Sequence, residues 1–136
     1  MSQSVAVPVL VVDDQRPFRL AAAAVLRRSE GFELVGEAET GEQALEQVAA
    51  LHPALVLMDI NMPGISGIEA TRRILADAPS TVVFLCSTYQ LGDLPPDART
   101  SGAEAYVNKE ELGPGLLRRL WDDRRANGAG GDGRDV

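Results

Sequence analysis

Short apolar runs alternate with amphipathic stretches along this chain. Val9-Leu10-Val11-Val12, Phe32 to Ala38, Ala54 to Met58, Thr81 to Cys86 and Ala105 to Val107 read as strands. Most are continuously apolar and rich in β-branched residues, the pattern of parallel strands covered on both faces. Helical periodicity fills the intervals. Pro17 opens a helix at its first turn, with Phe18, Ala22, Val25 and Leu26 on one face. Thr40-Gly41-Glu42-Gln43 and Ser66-Gly67-Ile68-Glu69 have the form of capping boxes. They precede the stripes Ala44, Leu45, Val48, Leu51 and Ile68, Thr71, Ile74, Leu75. Pro114 starts a last helix with Leu116, Leu117, Leu120 and Trp121 inward. Between Thr88 and Gly102 the periodicity fails, because Pro95 and Pro96 sit where a fourth helix would be centred. Proline in a helix interior costs about 3 kcal/mol, so a short helix from Pro96 or a loop is predicted there.

Strand and helix in regular alternation predict an α/β fold, a doubly wound five-stranded parallel sheet with helices on both faces. The common order for five strands is the flavodoxin-like 2-1-3-4-5, here with an irregular or shortened fourth helix. Residues 1–125 form one domain, and 126–136, rich in glycine and without an apolar anchor, are expected to be a flexible tail.

The strand ends carry the candidate chemistry. The first run stops at Asp13 and Asp14, the third at Asp59, the fourth at Ser87, and the fifth just before Lys109. In the 2-1-3-4-5 order these residues meet at one edge of the sheet. Three adjacent carboxylates repel one another unless a cation intervenes. Mg2+, which takes oxygen ligands and keeps waters, suits such a site. Lys109 and Ser87 could then hold the oxygens of a phosphoryl group, with Asp59 as nucleophile.

Composition narrows the setting. The formal charge of −7 disfavours direct nucleic-acid binding. No stretch is long and apolar enough for a membrane span, and a cytoplasmic location is expected. The single cysteine, Cys86, falls inside a predicted strand, and His52 in a connecting loop reads as a surface residue. Lys109 is the only lysine among 13 basic residues, fitting a site that wants a compact point charge.

The segments VLVVDD (9–14), LVLMDINMPGISG (55–67), VVFLCS (82–87) and GAEAYVNK (102–109) together resemble the receiver domain of two-component response regulators. The resemblance covers about residues 7 to 122, and the stretch 33–38 is similar to receivers of regulators with helix-turn-helix output domains. It implies that Asp59 accepts a phosphoryl group from a sensor histidine kinase. It implies Mg2+ bound by Asp14, by Asp13 mainly through water, by Asp59 and by the backbone carbonyl of Asn61. Ser87 matches the switch hydroxyl, Tyr106 the switch aromatic and Lys109 the phosphate-binding lysine. On phosphorylation Ser87 would move toward the phosphoryl group, Tyr106 would follow, and the face made by the fourth helix, fifth strand and last helix would change shape. A downstream protein or an output domain would read that face, with a homodimer possible. Such a domain is not an enzyme beyond self-catalysed phosphoryl transfer and slow autodephosphorylation.

Three departures stand out. Glu110 follows the lysine where the family often has proline, Thr88 stands where a small alanine is usual and offers a second hydroxyl, and Pro95-Pro96 fall in the usual signalling helix. The alternative is a receiver-like interaction module that works without phosphorylation. A haloacid-dehalogenase-like hydrolase ranks lower, because position 61 is Asn and the nucleophile would lie on the first strand. A flavodoxin ranks lower still, for want of a Ser/Thr/Gly-rich phosphate loop after the first strand.

Overall fold

The computed structural model describes residues 6–134, with side chains described as far as Arg124 except that of Leu91. Five strands, β1 (Val7–Val12), β2 (Phe32–Ala38), β3 (Leu55–Asp59), β4 (Val82–Ser87) and β5 (Ala105–Asn108), form one sheet in the order β2-β1-β3-β4-β5. Every pairing is parallel. The predicted architecture is therefore the observed one.

The sheet is buried on both faces, which is why its strands lack polar alternation. Leu10, Val12, Val56, Met58, Val83 and Leu85 point to one side, under α2 (Gly41–Leu51) and α3 (Gly67–Asp77). Val9, Val11, Leu55, Leu57, Phe84 and Cys86 point to the other, under α1 (Arg16–Arg27) and α4 (Pro114–Arg134). Successive residues of one strand thus serve two separate cores. Trp121 of α4 meets Phe32 edge-on, with ring centroids 6.2 Å apart.

The helix starts differ in detail from a reciprocal capping box. Thr40 and Ser66 accept from the backbone N–H of Gln43 and Glu69, as predicted. The return bonds differ. Gln43 accepts from the Glu39 N–H, one residue before the cap, and Glu69 turns outward to pair with Arg72 and Arg73. Glu69 has those two guanidinium partners within reach on its own helix, and they hold its carboxyl below the ordinary range. Leu51, placed in the inner stripe of α2, ends 38% exposed in the last turn of the helix. His52 closes α2 in the left-handed conformation, at φ 51°, and lies exposed.

No α-helix joins β4 to β5. Two single turns of 3-10 helix, Leu91–Asp93 and Pro96–Ala98, take its place. Pro96 starts the second, where the missing N–H is harmless. The segment is held to the body of the domain by Tyr106, whose hydroxyl donates to the Ala98 carbonyl at 3.1 Å, and by Arg72, 3.8 Å from Asp97. The tail expected over 126–136 falls outside the described side chains; the backbone is traced as a continuation of α4 to Arg134. No helix among the described residues is long and apolar enough to cross a membrane.

Candidate functional site: an acidic crevice closed by a lysine

Parallel pairing brings the carboxyl ends of β1, β3, β4 and β5 to one edge. Ligand sites of doubly wound sheets lie at this edge, where the strand order reverses. Here the reversal falls between β1 and β3. One carboxylate oxygen from each of Asp13, Asp14 and Asp59 lies within 4.8 Å of the others. Asp13 and Asp59 are buried and Asp14 is half-buried.

Lys109, just past β5, reaches into this group. Its Nζ lies 3.1 Å from Asp59 Oδ1 and 2.5 Å from Asp13 Oδ2. It also lies 4.8 Å from the centre of the Phe18 ring, whose face stabilises the ammonium. A 3-10 turn at Lys109–Glu111, capped by the Asn108 side chain accepting from the Glu110 N–H, fixes the start of this segment.

The electrostatics follow from burial and crowding. Burial pushes the Asp59 carboxyl up to about 6; the charges of Asp13 and Asp14 add to the rise, and Lys109 opposes it. For Lys109 burial is the largest influence and acts downward, but the bonds and charges of Asp13 and Asp59 outweigh it and hold the ammonium above its ordinary range. One cation thus stands among three acids and pairs with two of them. Buried Asp13 Oδ2 has the Lys109 ammonium as its one close partner among the described residues. A hard divalent cation would supply the missing charge, and the all-carboxylate donor set suits Mg2+.

The rest of the edge is built around these groups. Asp13 Oδ1 accepts from the Gln15 N–H at 2.8 Å, which holds the acidic turn before α1. Ser87, at the end of β4, is buried, and its hydroxyl accepts from the Tyr89 N–H at 3.2 Å. Asn61 is exposed, and its amide donates to the Tyr89 hydroxyl at 3.1 Å. Ser87 and Tyr106 line one cavity of about 170 Å³ with Tyr89, Leu94 and Glu111. Thr88 is exposed beyond it. The structure therefore gathers Asp13, Asp14, Asp59 and Lys109 at one point and sets Ser87 and Tyr106 around an adjoining cavity. Cys86 is buried, which pushes its thiol up to about 12 and leaves it an inert core residue.

Sequence reasoning passed over two residues here. Arg19 is buried beneath the acidic turn, donating to the Asp13 carbonyl and to Glu37. Its signal was present, since it shares a helical arc with Ala22, Ala23 and Leu26. Gly67 packs against the backbone of Asp59, a contact with no local signature.

A doubly wound α/β domain with a lysine-closed acidic crevice at its switch point is the class these features define. The model of the response regulator receiver domain matches residues 9–120. The chain belongs to this family of two-component signalling domains. It is 37% identical over 112 residues to the response regulator GacA of Pseudomonas viridiflava, covering 82% of this chain and 51% of that protein. It is 34% identical to the transcriptional regulatory protein DegU of Brevibacillus brevis, covering 84% and 48%. Among solved structures, the signal receiver domain of NarL from Mycobacterium tuberculosis superposes with a TM-score of 0.80 at 28% identity, covering 89% of this chain and 98% of that one. The chain spans about half the length of the curated response regulators it matches.

Proposed function

We propose that this chain is a phosphoryl-accepting switch, with Asp59 as acceptor and a sensor histidine kinase as donor. The observation that carries the reading is the lysine-closed carboxylate cluster. Asp59 is read as the attacking acid because it matches the family's phosphoacceptor position at the end of β3, and the nearness of Lys109, Asp13 and Asp14 supports that reading. A bound Mg2+, held by Asp13, Asp14, Asp59 and the Asn61 carbonyl, would neutralise charge on the incoming phosphoryl group.

In the transfer, a carboxylate oxygen of Asp59 attacks phosphorus. The P–N bond to the donor histidine breaks, an acyl phosphate forms, and the departing imidazole nitrogen takes up a proton. Lys109 would then follow the negative charge onto the phosphoryl oxygens. The Ser87 hydroxyl, released from the Tyr89 N–H, would donate to another of them, and Thr88 offers a second hydroxyl nearby. Tyr106 would occupy the space vacated in the shared cavity. That motion breaks its bond to Ala98, so the 3-10 segment, β5 and α4 form the surface that responds. A downstream protein or an output domain in the same polypeptide would read it. The role is that of a switch in the cytoplasm rather than an enzyme, with no direct contact to nucleic acid, and a homodimer is a possible output state.

Incubation with acetyl phosphate and Mg2+ followed by intact-mass measurement tests the reading. One phosphoryl adduct on the wild type and none on Asp59→Asn is expected. Absence of an adduct, together with no binding of beryllofluoride, would favour an interaction module that works without phosphate.

A further inference from the structure

We propose that Arg19 is a positioning residue for the acidic crevice: it clamps the main chain of Asp13 and so sets the distance between the β1 and β3 carboxylates. The proposal rests on the reading of that crevice as a cation-dependent phosphoacceptor site.

Arg19 is 9% exposed, unusual for an arginine, and three acceptors surround its guanidinium. Nη1 donates to the Asp13 carbonyl at 2.8 Å, Nε donates to Glu37 Oε1 at 3.0 Å, and Nη2 lies 3.6 Å from Glu39 Oε2. The Asp13 N–H donates to the Ala38 carbonyl at 3.0 Å. Both polar groups of the Asp13 peptide are thus anchored toward β2, one by Ala38 and one by Arg19. Arg19 is in turn held by two acids that flank Ala38 in sequence. The chain enters the acidic turn from a fixed platform and not from a free strand end.

The clamp acts through geometry more than charge. Glu37 and Glu39 more than offset the single positive charge, so little of its field is left for the crevice. A planar fork can serve three acceptors in fixed directions, whereas an ammonium on a flexible stem holds one or two without that geometry. Arg19→Lys therefore keeps the charge and removes the clamp. Groups that orient metal ligands from behind typically contribute about ten- to a hundredfold in affinity.

Two measurements on the full chain test this. The first is Mg2+ affinity by titration calorimetry; the second is hydrogen exchange at the Asp13 amide in metal-free protein. Arg19→Lys is expected to weaken Mg2+ binding about tenfold and to speed Asp13 exchange. The acetyl-phosphate rate is expected to recover as Mg2+ is raised to saturation. A merely structural role would lower that plateau and leave the affinity of the folded fraction unchanged, and this result overturns the proposal. Glu37→Ala, at an exposed site, removes the Nε acceptor and covers the case in which Arg19→Lys does not fold. It is expected to weaken Mg2+ binding in the same direction, and wild-type affinity there overturns the proposal. Failure of the wild type to bind Mg2+ overturns the reading of the crevice itself, and the clamp's purpose with it.

Discussion

A β-carbon on Gly67 would fall 1.8 Å from the carbonyl oxygen of Asp59. The first turn of α3 therefore lies directly against the backbone of the candidate phosphoacceptor, and the Gly67 N–H donates to the Ile60 carbonyl at 2.8 Å. No side chain fits without moving one of the two. Gly67→Ala is expected to destabilise the domain by about 2–3 kcal/mol, as overpacking against a backbone that cannot yield. It should also slow phosphorylation by displacing Asp59. Chemical denaturation and acetyl-phosphate labelling check both, and an unchanged midpoint would mean that the helix shifts freely.

Lys109 is the sole cation paired with the carboxylates of Asp13 and Asp59 among the described residues. Replacing it with methionine leaves two buried acids without a counter-charge, and breaking a pair of this kind costs about 3 kcal/mol, somewhat less where water reaches the lysine. Metal-free Lys109→Met should unfold at lower denaturant than wild type. Mg2+ should then stabilise the variant more than it stabilises wild type, because the ion takes over the neutralisation. Equal Mg2+ effects on the two proteins would show that lysine and cation do not share this task.

The raised Asp59 carboxyl makes metal-free stability depend on pH. Its pKa in the fold is about 6, against an ordinary 3.8, so the folded chain holds this proton more tightly than the unfolded chain. Stability from this group is present below about pH 4 and is lost as pH rises to about 6. At neutral pH the ionised carboxylate costs on the order of 3 kcal/mol. Asp59→Asn should therefore stabilise the metal-free protein at pH 7.5 and have little effect near pH 4. Thermal midpoints of both proteins across this range provide the check; a constant difference would remove the titration of Asp59 as its cause.

Tyr106 ties β5 to the proline segment through one hydroxyl. Tyr106→Phe removes a bond with a net contribution of about 1 kcal/mol. Amides at 98–101, which sit in and just after the second 3-10 turn, should exchange about fivefold faster, with little change in the strands. Unaltered protection in that segment would place its anchor elsewhere, at Arg72 and Asp97 for instance.

Much of this protein could be read from its letters, because the signals are local. Apolar runs such as Val9–Val12 mark strands covered on both sides, and the acids, serine and lysine at their ends mark one candidate edge. Pro95 and Pro96 announced the loss of the fourth helix, since each proline removes a donor within its own segment. Other features were beyond a linear reading. The Glu69 carboxylate had two local partners to choose from, the cap N–H and the arginines three and four residues on, and periodicity alone does not rank them. Arg19 showed only as a charge on an apolar arc, and its acceptors Glu37 and Glu39 lie at and just past the end of β2, some twenty residues on in the chain. The close approach of Gly67 to Asp59 exists solely because α3 lands on the end of β3. Periodicity and backbone chemistry act within a few residues and are legible in sequence; packing distances and shared counter-charges join segments far apart in the chain, so the tertiary structure alone decided them.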